Sequence, residues 1–514
     1  MNYKNDFINY TECLCSQKRE AFAEGDTILP DYYPPIMRIV GTEAVATLKS
    51  AAVYGNKLVS EGNVEFRVIY QAENGSINSV FAKMPYSDSA DLPAGEDIDE
   101  NCFTDVMVSA DYYDCRALSP QKLHLKATVC LSQKILAAGQ TSVLTADEGE
   151  SDTELRYVET DLSSISCFGK KILRISDELP LQEGFDRLLR YDIGIIKGDS
   201  KKLAKKLIAK AELILKTVLW SDERKTAEAF EQKIPVSQII ELSDLNEDTE
   251  AYVSVRTADA RVEVIDSGDR QDLSYDIELC ITVQGYRTER KRIVIDAFSP
   301  QKELELSRKE ALCDRAVYKN DKVSFTEKLD IPLGGKICDL SVKPRAVGIY
   351  TDDNGNVALN GFFGCCLTAL DDQGELVFSN RAIPFTVRSE RGEGAPDLER
   401  AWGDAELAVE SLAYVTDGEH LEFRADCRVC GSIFVSEKKL CLSAISQRED
   451  KKPVYDYPML LCYAKKGEKL WDIAKKYSVP MARIIRDNDL AAGGSIGEAD
   501  AADLVLDEDK MLVI

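Results

Sequence analysis

The residues of this chain with the types to do chemistry are few and poorly spaced for it. Cys427-Arg428-Val429-Cys430 has the spacing of a zinc knuckle or a redox dithiol. It lies in an alternating apolar run, where residues i and i+3 of a strand point to opposite faces, so the two sulfurs do not share a metal. No second such pair completes a four-ligand set. Cys365-Cys366 and Cys13 with Cys15 are no better as chelators, and no metal site is expected. Gly493-Gly494-Ser495-Ile496-Gly497 spells the nucleophile elbow, which needs a preceding strand, a following helix and a later histidine. The only histidines are His124 and His420, and neither follows it. Gly334-Gly335-Lys336 and Gly169-Lys170 lack the rest of a phosphate-binding loop. The acidic pairs Asp352-Asp353 and Asp371-Asp372 fit solvated turns better than general acid–base work. No cofactor is implied, and the chain is expected to be non-enzymatic.

The chain that would have to position such residues is long and acidic. Its 514 residues suggest three or four domains. An apolar fraction of 44% with 30% charged residues excludes a mainly disordered chain or a fibre. The net charge of −25 repels phosphate backbones, so nucleic acid is not an expected partner. There is no apolar run long enough for a transmembrane helix. Met1–Tyr10 is polar and lacks the apolar core of an export signal. Fifteen cysteines, an odd number, sit mostly in alternating runs such as those around Cys130, Cys280 and Cys427. Without an export signal they read as buried reduced thiols.

One pattern recurs about every 150 residues. An aliphatic residue and a proline open each copy: Leu29-Pro30, Leu179-Pro180 and Ile331-Pro332. Amphipathic pieces follow at Ile36–Ile39, Phe185–Leu188 and Ile337–Leu340. Long alternating strands come next, Leu58–Tyr70, Leu207–Val218 and Val357–Leu367, each closed by a polar turn. Asn74-Gly75 and Gln373-Gly374 read as tight hairpins. Each copy ends on a further strand pattern, at Lys122–Leu131, Leu273–Val283 and His420–Gly431. The expectation is a mainly β multidomain chain with three tandem antiparallel sandwich or barrel-like repeats, at 28–147, 165–305 and 312–447. Residues 1–27 read as an N-terminal extension, Asp147–Asp152 as a linker and Gly392–Pro396 as a loop. Ser200–Lys210 reads as a basic helical stretch, and its lysine pairs Lys201-Lys202 and Lys205-Lys206 are either a solvated face or a contact for an acidic partner.

Beyond Lys451-Lys452-Pro453 the texture changes. Leu460–Tyr463 is a short strand. Leu470, Ile473, Ala474 and Tyr477 mark an amphipathic helix, Met481, Ile484 and Ile485 a second, and Met511–Ile514 a closing strand, so residues 456–514 read as a small βααβ unit. The run Tyr463-Ala464-Lys465-Lys466-Gly467-Glu468-Lys469-Leu470-Trp471-Asp472-Ile473-Ala474-Lys475-Lys476-Tyr477, with Ile484, Ile485, Asn488 and Leu490, resembles the LysM domain family. That resemblance implies a shallow groove for N-acetylglucosamine polymers such as peptidoglycan or chitin. Carried over, it is lined by Gly467, Glu468, Lys469, Asn488, Leu490 and Ile496. Here Glu468-Lys469 replaces the usual Asp-Thr, and the second loop is acidic from Glu498 to Asp509. A protein ligand therefore stands beside glycan as an expectation. Trp471 is open between a sugar platform and core packing.

The opening Ile28-Leu29-Pro30-Asp31-Tyr32-Tyr33-Pro34-Pro35-Ile36-Met37-Arg38-Ile39 and the strand Val59–Tyr70 resemble the SPOCS domain of clostridial spore-coat morphogenetic proteins of the SipL type. With a C-terminal LysM this implies a scaffold of endospore coat assembly. It would act in the mother-cell cytoplasm and link a SpoIVA-like basement-layer ATPase to the forespore surface, with LysM as the docking module. The alternative is a protein of the cell wall or spore cortex that uses LysM on peptidoglycan.

Overall fold

The computed structural model of the chain describes residues 3–92, 102–147, 152–266, 270–330, 335–351, 357–388, 400–417, 420–450, 460–490 and 502–514. Outside them lie Gly493–Gly497, Asp352-Asp353, Gly334, Gly392–Pro396, Ile331-Pro332 and most of the 147–152 linker. Alternation rich in Val, Ile, Leu, Tyr and Phe favours strands, and the described chain is mainly antiparallel β with two short helices near its C-terminus. The first unit holds β1 (Tyr3–Ile28), β2 (Ile36–Tyr54), β3 (Lys57–Ala72), β4 (Ile77–Asp91), β5 (Phe103–Ser119) and β6 (Lys122–Asp147). The second holds β7 (Glu154–Pro180), β8 (Arg187–Lys197), a short β9 (Lys201–Leu203), β10 (Lys206–Ser221), β11 (Thr226–Glu241), β12 (Thr249–Asp266) and β13 (Gln271–Phe298). The third holds β14 (Lys302–Asp330), β15 (Lys336–Thr351), β16 (Val357–Leu370), β17 (Leu376–Arg388), β18 (Arg400–Thr416) and β19 (His420–Asp450).

In each unit a sheet of order β2-β3-β4, β8-β10-β11 or β15-β16-β17 faces a sheet of order β1-β6-β5, β7-β13-β12 or β14-β19-β18. The facing side chains make one core per unit, around Phe66 and Leu125, Leu213 and Ile277, and Phe363 and Phe423. The Asn74-Gly75 and Gln373-Gly374 hairpins form, with Gly75 at φ +81 and Gly374 at φ +80, a backbone that disfavours a side chain. Tyr3–Ile28, most of it within the expected N-terminal extension 1–27, forms β1, which pairs with β6 along its length, and β7 and β14 begin at Glu154 and Lys302, ahead of 165 and 312. The first halves of these strands lie outside the sandwich cores, so their sequences lack the strong alternation of the inner strands. Ser200–Lys210 is not helical. It forms β9, a turn through Ala204 at φ +43 and the start of β10, because the period-two burial of Leu207, Ala209 and Ala211 outweighs the helix propensity of lysine.

The three units close into a ring with approximate threefold symmetry. The first strand of each small sheet carries a bulge at the same register, at Val40, Leu189 and Cys338. All three belong to one apolar cluster with Ile69, Ile77, Val218, Trp220, Leu370 and Leu376, drawn from every unit. Equivalent cations then reach to the preceding unit in the cycle. Arg187 donates to the Ile77 carbonyl at 2.7 Å, Lys336 to Thr226 Oγ1 at 3.2 Å, and Arg38 to Glu375 at 2.8 Å. Beyond the sandwiches the long strands β1/β6, β7/β13 and β14/β19 run on as three ribbons. They pack through register-equivalent side chains, Leu136 with Tyr286 and Phe434, then Val143 with Ile293 and Cys441.

At the centre of the ring is a buried ion network. Arg190, 1% exposed, donates to Asp339 at 3.0 Å, also bonds Asp192, and lies 3.5 Å from Glu43. Arg67 pairs with Glu65 at 2.8 Å and approaches Asp192 and Glu43 at 3.4 and 3.6 Å. Lys216 pairs with Asp339, and Lys343 with Asp192. The Tyr191 hydroxyl donates to Glu65 at 2.6 Å, beneath the Arg67 guanidinium. Burial opposes the charge on Glu43 and Asp192, yet the surrounding cations, Arg190 foremost, hold both well below the usual carboxylate range. An incomplete network would strand a buried charge, so removing one member costs more than a surface pair is worth. Arg190→Ala is expected to lower unfolding free energy by about 3–5 kcal/mol in a urea titration. A loss below about 1 kcal/mol, the range of an exposed pair, would show that the network does not hold the units together.

Candidate docking site on the C-terminal module

The C-terminal unit is β20 (Leu461–Ala464), α1 (Leu470–Tyr477), α2 (Met481–Asp487) and β21 (Lys510–Val513), the expected βααβ order. Leu470, Trp471, Ile473 and Ala474 form the buried stripe of α1. Asp472 in the first turn and Lys475 and Lys476 in the last complement the helix dipole. Ser478 ends the helix in a left-handed conformation, and its N–H side returns to the Ala474 and Lys475 carbonyls. Gly467 sits at φ +90 in the turn after β20, where a side chain would be strained.

The expected groove positions divide into two kinds. Gly467, Glu468 and Lys469 are exposed together on the loop before α1. Their backbone is tied to the loop before β21: Gly467 N–H donates to the Leu506 carbonyl at 2.8 Å, Leu506 N–H to Glu468 at 3.0 Å, and Leu470 N–H to Leu504 at 2.9 Å. Asn488 and Leu490 build the module instead. The Asn488 amide donates to the Ile484 and Val513 carbonyls at 2.8 Å each and accepts from Val513 N–H at 2.6 Å, while Leu490 packs against the module core. Ile496 lies outside the described residues.

Trp471 is wholly buried, so it packs rather than presenting a platform. It packs on the second unit, not only within the module. Its ring meets Phe298 edge-on with centroids 5.1 Å apart, and its indole N–H donates to Asp296 at 3.0 Å. Lys475 donates to the same carboxylate at 2.5 Å, Arg308 at 3.2 Å, and Arg156 reaches Asp503 at 2.8 Å. Burial opposes the charge on Asp296, but hydrogen bonds from Lys475 and Trp471 hold its carboxyl below the usual range. The register positions of Asp296 in the first and third units are Ala146 and Ala444, so neither offers this carboxylate to a second module. Asp296 and Phe298 carried no signal in the sequence: the contact spans 175 positions, and an acid at a strand end is unremarked by periodicity.

The dock leaves another face outward. Leu461, Tyr463 and Met511 are each more than half exposed, side by side on the β20–β21 ladder. The Tyr463 hydroxyl donates to Asp509 at 2.8 Å, and Lys466 N–H donates to the same side chain. The other residues singled out in the sequence have structural places. Cys427 lies in the third core and Cys430 is half-buried on the opposite face. Burial pushes the thiols of Cys365, Cys366 and Cys427 up to about 12, which keeps them protonated and poor nucleophiles near neutrality. Of the lysine pairs, Lys202 donates to the Glu247 and Thr249 carbonyls and Lys206 pairs with Glu241. Asp371 accepts from the backbone of Gln373 and Glu375, the work of a turn residue.

The family model described as SipL, SPOCS domain matches residues 35–116, which is β2 to β5 of the first unit, and the LysM domain model matches residues 464–496. No curated protein and no solved structure matches the chain. The chain thus combines a SPOCS domain with a C-terminal LysM domain, a sporulation-related architecture with a module of the peptidoglycan-binding class. Asp296→Ala removes the charged acceptor of the dock and is expected to weaken it by about 1.5–3 kcal/mol, read as red-shifted Trp471 emission. Because the folded-state pKa of Asp296 is depressed, its contribution is complete above about pH 4, the unfolded carboxylate value, and fades as pH falls through the folded value. Emission that is unchanged in the variant would contradict the dock.

Proposed function

We propose that this chain is a non-enzymatic scaffold of endospore coat assembly in the mother-cell cytoplasm. It links a SpoIVA-like basement-layer ATPase to the forespore surface, with the LysM module as its docking head. The three repeats, at 28–147, 165–305 and 312–447 with their flanking strands, are read as SPOCS-like units of one rigid body. The observation that carries the reading is the placement of the LysM. Trp471 and Lys475 fasten it to the end of the second unit's ribbon, and the exposed apolar face of Leu461, Tyr463 and Met511 points away from the body. An apolar face on a module already anchored by its tryptophan suits a protein contact. Rigid attachment also limits the ordering entropy lost when a partner binds.

The second reading, a peptidoglycan-binding protein of the wall or cortex, is favoured by the LysM match and by the exposure of Gly467, Glu468 and Lys469. The two readings use different surfaces, so one variant separates them. Tyr463→Asp with Met511→Asp is expected to cut co-purification with the ATPase at least tenfold while leaving the module folded by circular dichroism. Retained capture by the ATPase, with saturable calorimetric binding of soluble peptidoglycan fragments by the unaltered chain, would move the assignment to glycan. Deletion of residues 456–514 is expected to abolish forespore recruitment of a fluorescent fusion and to leave the β units folded. Intact localisation of the truncated protein would contradict the docking role.

A further inference from the structure

Between the ion network and the apolar layer of Leu136, Tyr286 and Phe434 lies a cavity of about 1330 Å³, partly open to solvent and lined by all three units. Its walls are mostly outer strands: β2, β8 and β15 from the small sheets, and β5, β12 and β18 from the large ones. Among the described residues no ladder pairs any of these strands on the side away from its own sheet. Backbone groups on such edges need a partner, either water or another chain.

The size and charge of the cavity say which. On β2 the lining runs from Ala44 to Lys49, and six strand residues span about 20 Å. That length matches an extended segment of about six residues lying alongside the edge strands. The lining holds eight basic and six acidic side chains, an excess of cations inside a chain of net charge −25. Most of the acids are neutralised in place. Asp192 and Asp339 belong to the ion network, and Glu406 pairs with Lys197 and Glu410 with Arg428. Asp111, which accepts from Ser109 and Cys130, and Glu231 make no ion pair with any described residue. Three cations, Lys18, Lys49 and Lys170, make none either, so the unpaired charge of the lining is positive.

We infer that this axial cavity is a binding site for an extended acidic peptide, held by strand addition to the exposed edges and by Lys18, Lys49 and Lys170. Main-chain hydrogen bonds supply affinity in such a mode, and the lysines select the sign of the alternate side chains. The site is separate from the LysM dock and does not depend on the role assigned to that module. Val45, Gly194 and Lys343 occupy one register position in the three units and all line the cavity, so a large side chain at Val45 fills the path of the peptide.

The test is fluorescence anisotropy on the full chain, with a labelled octapeptide of alternating threonine and glutamate and its threonine–lysine counterpart. The acidic peptide is expected to bind saturably and at least tenfold more tightly than the basic one. Lys49→Glu with Lys170→Glu is expected to weaken it at least tenfold, and Val45→Trp to abolish it. The paired charge reversal lies at exposed positions, so it decides the matter if the tryptophan variant does not fold. Equal binding of both peptides, no saturable binding of the acidic one, or binding unaffected by the charge reversal would overturn the assignment.

Discussion

The architecture depends on nine charges of near-balanced sign where three β units meet, six of them buried. Taking such groups out of water costs several kcal/mol per ion, and only a nearly complete set of partners offsets it. Glu43 and Glu65 come from the first unit with Arg67, Arg190 and Asp192 from the second with Lys216, and Asp339 from the third with Lys343 and Arg345. Without the second unit Asp339 would lose both Arg190 and Lys216, and without the third Arg190 would lose Asp339. The network therefore favours the closed ring over any partial assembly, and it fixes register: a slip of one residue would turn every charge to the other face of its strand.

Symmetry and its breach both have functional weight. The bulges at Val40, Leu189 and Cys338 and the cycle of Arg38, Arg187 and Lys336 show that the same join is made three times within one chain. The charges at the centre are not symmetric, since Arg67, Lys216 and Cys366 share one register position. The far end is not symmetric either. Only the second unit carries Asp296 at the position filled by alanine in the other two, so one LysM is seated at one place on a threefold body. A body built this way presents a single oriented LysM module and a closed ring around one central cavity.

Much of this was legible in the residues. The 150-residue period, the inner strands and the βααβ module follow from alternation and helical spacing. Trp471 was open between packing and sugar contact, because a sequence does not say what lies across from a helix. Phe298 and Asp296 supply that answer from a distant strand. The outer halves of β1, β7 and β14 escaped because their burial is against other units, which relaxes period-two patterning. The ion network was invisible for a related reason: Glu43, Arg67, Arg190 and Asp339 look like ordinary outward residues of amphipathic strands until the units close on them. Basic Ser200–Lys210 has the local propensity of a helix, but Lys201–Leu203 pairs with Lys206–Ile208 and fixes it as strand.

Native-state hydrogen exchange across β2, β8 and β15 tests the central claim most directly. If the buried charges lock the three units into one body, amides flanking Glu43, Asp192 and Asp339 open together, at the free energy of global unfolding. Three separate opening free energies, one for each unit, would mean that the repeats are independent domains and that the ring is not what stabilises the protein.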